Sequence, residues 1–169
     1  MKAKHIILCV ICIAAMILGF FFLKALRKHN EKAEKIERIP EIILVTIDGV
    51  EFPLAERKRG RRAALLFFSP DCEYCRKEIE GIVANRDSFE KTDWVFITLA
   101  PEGDLHEFLL EYPLESVPGA KVVREEWPEL YLALGVTAPP TLFIYDSDGR
   151  LEHFSRGAVS IKTILEWLD

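Results

Sequence analysis

The hydrophobic positions of this chain change period along its length, and each change marks an element. "EIILVTIDGVEFPL", residues 41–54, holds two short β-rich runs on either side of Asp48-Gly49, a dipeptide that favours a hairpin turn. "RAALLFF" is an apolar run of strand length with no polar alternation, which predicts a central strand covered on both faces. After it, Ile79, Ile82 and Val83 recur at helical spacing, and Asn85 to Ser88 suit the end of that helix. "DWVFITLA" predicts a second buried strand, and "DLHEFLLEY" a helix with Asp104 as its N-cap. "AKVVRE" is a short strand, and residues 129–135 form a helix stopped by Gly135. "TLFIYDSDGRLEHFSRG" gives a strand, a turn and a returning strand, and "SIKTILEWLD" a last helix capped by Ser160. Strands alternating with helices imply parallel pairing, and the late hairpin adds an antiparallel edge. The fold class is therefore α/β, a mixed central sheet flanked by helices. No internal repeat or low-complexity tract interrupts it.

The N-terminal pattern is of another kind. Residues Ile6–Leu23 are 18 uncharged residues, which at about 1.5 Å per residue nearly cross a hydrocarbon core of about 30 Å. A cleaved signal would end in small residues, but this run ends in Phe20, Phe21, Phe22 and Leu23, so an uncleaved transmembrane helix is expected. Glu31 precedes Lys35 and Glu34 precedes Arg38 by four residues, the favourable order for helix ion pairs, and Pro40 ends that stretch. Three parts follow: a membrane anchor over 1–23, a helical stalk over 24–39 and a domain over 40–169.

Charge sharpens that division. Of the 169 residues, 1–39 carry net +5 and 40–169 net −10. A domain this acidic repels nucleic acid phosphates and favours basic or neutral partners, so no nucleic acid partner is expected. "RKRGRR", residues 57–62, then reads as a solvated loop, with contact to anionic lipid headgroups as the alternative. Lys2 and Lys4 precede the apolar run and six basic residues follow it, a bias that would put the domain in the cytoplasm. Large domains translocate largely regardless of such charges, so orientation stays open on this ground.

The candidate chemistry lies in "FFSPDCEYCRKEIEGI", residues 67–82, where Cys72 and Cys75 are two residues apart at a strand-to-helix junction. The first cysteine of such a helix meets unpaired N–H groups and the positive end of the helix dipole, which favour thiolate, the nucleophile of disulfide exchange. The second lies on the same face, able to attack a mixed disulfide formed by the first. Cys72 is then the outer, attacking residue and Cys75 the inner, resolving one. Zinc needs two further ligands, yet Cys9 and Cys12 lie in the apolar run, where they read as small apolar fillers, and the four His form no ligand-spaced cluster. No metal and no cofactor is therefore expected. The same spacing would also suit a static structural disulfide or a thiol peroxidase, although the upstream Pro and Thr pattern of such peroxidases is missing.

These residues, taken together, carry a resemblance. With its Asp-Gly hairpin, "FFSPDCEYCRKE" and "GVTAPPTLFIYDSDGRL", the stretch 40–169 resembles the thioredoxin fold. More narrowly, it looks like the membrane-anchored thiol–disulfide oxidoreductases of the TlpA/ResA group, which includes reductases of cytochrome c maturation. The resemblance implies that Cys72 and Cys75 form a redox-active disulfide. It also implies that Pro140, before Thr141, is a cis proline facing the cysteines, and that Glu78 is the acidic residue near the cleft. Tyr74 and Glu73 would tune the redox potential. Tyr74, Pro139 and Pro140 would meet the substrate. The expected partners are protein disulfide substrates and a membrane thiol electron donor, with the domain on the periplasmic or extracytoplasmic side. Reduction is favoured over oxidation on the resemblance alone.

The chain departs from that group in several places. Pro70-Asp71 replaces the usual Trp before the first cysteine. The preceding strand lacks the buried Asp of plain thioredoxins, which leaves proton handling to Glu78 or water. In this fold the residue before the cis proline pairs its backbone with the substrate. Pro139 has no N–H, so either the substrate clamp loses a donor or the cis bond is Ala138-Pro139. Asp71, Glu73 and Glu78 should also make Cys72 less acidic than its place at a helix start implies. These departures support one non-catalytic alternative, a tethered thioredoxin-like interaction module without turnover.

Overall fold

A computed structural model describes residues 16–21, 36–56 and 60–169. The chain divides into two units, Met1–Lys35 and Ile36–Asp169. In the first, Met16–Phe21 are helical. Most of the expected anchor and stalk, with Cys9, Cys12 and the basic residues 57–59, lies outside the described residues. Among the described residues no helix is long and apolar enough to cross a membrane.

The second unit is built on a five-stranded sheet. Its elements are the hairpin β1 (Ile43–Val45) and β2 (Glu51–Pro53), then β3 (Arg62–Phe67), α1 (Glu73–Ala84), β4 (Thr92–Thr98) and α2 (Glu102–Glu111). There follow β5 (Lys121–Arg124), α3 (Glu129–Leu134), β6 (Thr141–Tyr145), β7 (Leu151–Arg156) and α4 (Ile161–Leu168). The strand order is β5-β4-β3-β6-β7, with β1 and β2 in a separate two-stranded sheet. Strands β3, β4 and β5 run parallel, and β6 and β7 are antiparallel additions. This is the mixed α/β sheet that the alternating pattern predicts.

The missing polar alternation in "RAALLFF" has its cause in the two cores. Ala64, Leu66 and Phe68 point to one face and pack with Ile79, Ile82, Phe108 and Ile164 of the helices. Ala63, Leu65 and Phe67 point to the other and pack with Leu44, Leu54, Leu130 and Tyr131. A strand with both faces buried has no position for a polar side chain.

The ends of the elements follow their local chemistry. Ser160 caps α4, its hydroxyl accepting from the Thr163 N–H at 3.2 Å, as its place in the sequence predicts. Gly135 ends α3 in the left-handed conformation at φ 66°. Asp104 is not the cap of α2. The helix starts two residues earlier at Glu102, behind Pro101, whose fixed φ suits a helix start. Asp104 sits in the first turn, where its charge still favours the dipole. The last residues of the expected stalk belong to the domain: Ile39 is buried and its N–H bonds the Gly149 carbonyl at 2.9 Å, beside the β6–β7 turn.

Candidate active site

The chain leaves the C-terminal end of β3 through Phe68, Ser69 and Pro70 and enters α1 at Cys72. Cys72 is the N-cap residue, and its Sγ accepts the N–H of Cys75 at 3.2 Å. A sulfur thus holds the position where an Asp or Ser oxygen usually sits, at the positive end of the helix dipole. The turn is held by the Cys72 N–H on the Ser69 carbonyl at 3.1 Å and by the Arg76 N–H on the Cys72 carbonyl at 3.0 Å. Both cysteines are free thiols, Cys72 half-buried and Cys75 fully buried. Cys75, Glu78, Ile79 and Ile82 share the inward stripe of α1. The outer and inner positions read from the spacing are those observed.

Burial dominates the electrostatics below Cys72. The Cys75 thiol is pushed up from its ordinary value, first by desolvation and then by the neighbouring Cys72 sulfur and the Glu78 charge. Glu78 is 4% exposed, and neither carboxylate oxygen has a hydrogen-bond partner. Desolvation raises it from 4.5 to about 7, and the Val159 amide, near but not in hydrogen-bonding geometry, opposes the rise. Glu78 is therefore not a solvated helix Glu.

Glu73 behaves otherwise. It is fully exposed and pairs with Lys77 at 2.7 Å, which holds its carboxyl below the usual range. Its charge is thus partly compensated by Lys77, so it opposes the thiolate less than the bare sequence suggests. Asp71 is exposed. Arg76 is a site residue that sequence reasoning does not single out. Its Nε donates to the Pro70 carbonyl at 2.7 Å and closes the turn around Cys72 from outside. Its spacing of four residues from Cys72 is the one signal that could have found it.

The second wall comes from β6. Thr141 pairs with Phe67, so Pro140 lies beside Phe68, where the chain turns towards Cys72. The Pro139-Pro140 bond is cis, and it is the one cis bond among the described residues. The Thr141 hydroxyl donates to the Ala138 carbonyl at 2.7 Å, and the Gly157 N–H to the Pro140 carbonyl at 2.9 Å. Pro140 is buried and Pro139 half-buried, and Pro139 offers no N–H. Tyr74, between the cysteines, is 67% exposed. Register and helix therefore bring Cys72, Cys75, Glu78, Pro139 and Pro140 to one end of the sheet. Among the described residues no group of three or more His, Cys, Asp or Glu could hold a metal.

A Cys-x-x-Cys pair at the start of a helix, beside a cis proline opening an antiparallel strand, defines a thiol–disulfide exchange site of the thioredoxin class. A family model described as "Thioredoxin-like domain" matches residues 55–169, and the chain belongs to that family. With its cysteine pair in place it is an oxidoreductase of that class. The thiol-disulfide oxidoreductase ResA of Bacillus thuringiensis subsp. konkukian is 25% identical over 168 residues, 98% of this chain and 92% of its own length. StoA from Bacillus subtilis superposes with a TM-score of 0.61 at 18% identity, covering 77% of this chain and 100% of its own. A secreted Mycobacterium tuberculosis disulfide oxidoreductase gives 0.66 at 19% identity, over 80% and 96%. The two structural likenesses are likenesses of fold.

Proposed function

We propose that this protein reduces disulfides in protein substrates, as a tethered reductase of the ResA type. The observation that carries the reading is the burial of Cys75 and of an unpartnered Glu78 directly beneath the half-exposed Cys72. Cys72, as thiolate, attacks one sulfur of the substrate disulfide. That S–S bond breaks, and the departing sulfur takes up a proton. Cys75 then gives its proton to the Glu78 carboxylate and attacks the Cys72 sulfur. The mixed disulfide breaks, a Cys72–Cys75 disulfide forms, and the second substrate sulfur leaves and is protonated. Two electrons and two protons pass to the substrate. A thiol donor at the membrane returns them by the reverse exchange.

Glu78 serves this cycle because its raised value lies near neutral pH, where a base both accepts and releases a proton readily. Cys75 needs such a base, since burial holds its proton. The apolar run over 6–23 supports a membrane anchor, and the resemblance to the membrane-anchored TlpA/ResA group is the ground for the extracytoplasmic side. The resemblance to the TlpA/ResA group, which includes reductases of cytochrome c maturation, and the acidic domain are the grounds for a role in that process, with basic apocytochromes as substrates.

Replacing Cys75 with Ser tests the reading. Protein mixed disulfides on Cys72 should accumulate in intact cells and disappear on adding a reductant. Their absence would favour a module that binds without turnover. Peroxide consumption that needs Cys72 but survives the loss of Cys75 would instead indicate a peroxidase. A membrane-impermeant thiol reagent that labels Cys72 in intact cells supports the extracytoplasmic side, and labelling only after lysis refutes it.

A further inference from the structure

A groove of about 1060 Å³ opens between β1, the first turns of α2 and the β5–α3 connection. Among the described residues, the chain just beyond β1 bonds to β5 through the Thr46–Val123 bridge and the Ile47 N–H on the Val122 carbonyl. Beyond that point pairing stops, and the groove lies between the two strands. Leu44, Leu105 and Val123 are buried at its floor, while Ile43 is 64% exposed and Trp127 75%. Its charged lining is mainly acidic, with Glu102, Glu125, Glu126 and Glu129 against Arg124 and His106. Glu102 and Glu129 pair with no cation among the described residues, whereas Glu126 holds Arg124 at 3.3 Å. Glu125 accepts the Leu130 N–H on Oε1 at 3.0 Å, and its buried Oε2 has the Tyr131 amide near but not in hydrogen-bonding geometry.

The position relates the groove to the thiols. Arg124–Glu126 and the start of α2 follow the C-terminal ends of β5 and β4, the same end of the sheet at which β3 delivers Cys72. One strand separates β5 from β3, so their spacing is about 10 Å, a span of roughly three extended residues.

We propose that this groove binds an extended, basic polypeptide stretch with apolar side chains, adjoining the disulfide that Cys72 attacks. The proposal rests on the reductase reading and adds to it the place and chemistry of substrate recognition. A Lys or Arg of the occupant would meet the exposed Glu102 and Glu129. Apolar side chains would cover Trp127 and Ile43. A second copy of this domain fits poorly, because a two-fold contact would set carboxylates against carboxylates. The chain's own basic residues Lys32 and Lys35 are a competing occupant that the test separates, and Ile39 is bound at the β6–β7 turn, the end of the sheet away from Cys72.

The test uses the full chain in detergent and two disulfide-bridged, Phe-containing peptides that differ only in carrying Lys or Glu. Rates are divided by the rate with bis(2-hydroxyethyl) disulfide, which is neutral and has no peptide. Binding is read separately, by anisotropy of labelled peptides whose cysteines are Ser. The Lys peptide should be reduced at least about tenfold faster than the Glu peptide, with the gap narrowing as salt rises. Trp127→Ala should lower its relative rate and its affinity about tenfold. Glu102→Gln with Glu129→Gln should lower them by about two- to fivefold per charge. Equal handling of the two peptides, or a preference unchanged in these variants, overturns the proposal. So does concentration-dependent dimerisation of the full chain that Trp127→Ala abolishes, or a rise in peptide affinity in Lys32→Glu/Lys35→Glu. If the small disulfide is not reduced while the Lys peptide still binds, the reductase reading fails and the groove stands.

Discussion

Replacing Glu78 with Gln should stabilise this protein at high pH and slow its chemistry. The carboxyl is 4% exposed with no hydrogen-bond partner, and burial raises it from 4.5 to about 7. Between those values the folded protein holds a proton that the unfolded chain has released, so stability falls as pH rises through the window. The penalty is absent below about pH 4.5, grows up to about pH 7 and is complete above it. A shift of this size corresponds to about 3 kcal/mol of lost stability at pH 8. Gln resembles the neutral acid in size and polarity but cannot ionise. Urea denaturation of the reduced proteins should therefore give similar stabilities near pH 4.5 and a variant more stable by about 3 kcal/mol at pH 8. Glu125, also raised by burial, titrates in both proteins and cancels in the difference. Single-turnover measurements at pH 7 should show resolution of the mixed disulfide slowed by about a hundredfold, the usual contribution of a general base. A stability difference that does not change with pH would refute the idea that Glu78 is buried at a cost in its charged form. An unchanged resolution rate would remove it from proton transfer.

Other substitutions probe the frame around the thiols. Arg76→Ala removes the Nε bond to the Pro70 carbonyl, should cost about 1 kcal/mol, and should speed hydrogen exchange across residues 71–75; unaltered exchange there would show that the turn holds itself. Ile79→Ala deletes a fully buried side chain under α1 and should cost about 2–5 kcal/mol by urea denaturation, while a loss under about 1 kcal/mol would mean that α1 is not anchored by this face. Ser160→Ala removes the cap of α4 and should cost about 1 kcal/mol, whereas Ser160→Asp, which can still accept the Thr163 N–H, should restore most of it.

The sheet was legible wherever burial acts on both faces of a strand. The apolar run Ala63–Phe68 predicts its own place, because such a sequence is soluble only as a covered central strand. Turn residues placed the two hairpins, since Asp48-Gly49 and Asp146–Gly149 both need a glycine at positive φ, observed at 81° and 78°. Strand order was not legible, because the pattern of apolar residues does not say which neighbour a buried strand takes. The start of α2 was misread for a similar reason. Asp104 and Pro101 both suit a helix start, and only the chain's path out of β4 decides between them.

The site divides along the same line. Cys72 and Cys75 could be placed from spacing alone, since two residues between them fix their relation on any helix. What each then experiences depends on partners that spacing does not name. Glu73 and Glu78 are both acids within six residues of Cys72, and the sequence treats them alike as charges that oppose the thiolate. The structure separates them by exposure: Lys77 meets one at 2.7 Å, and no donor meets the other. Position on the helix decides the difference. Glu73 precedes Lys77 by one turn on the outer surface, whereas Glu78 lies three residues beyond Cys75 on the stripe that packs inward. An exposed, paired carboxylate adds little to the chemistry beside it, because solvent and its own cation screen it. A buried, unpaired one next to a buried thiol is costly to keep charged, and that cost is what gives it a proton affinity suited to exchange near neutral pH.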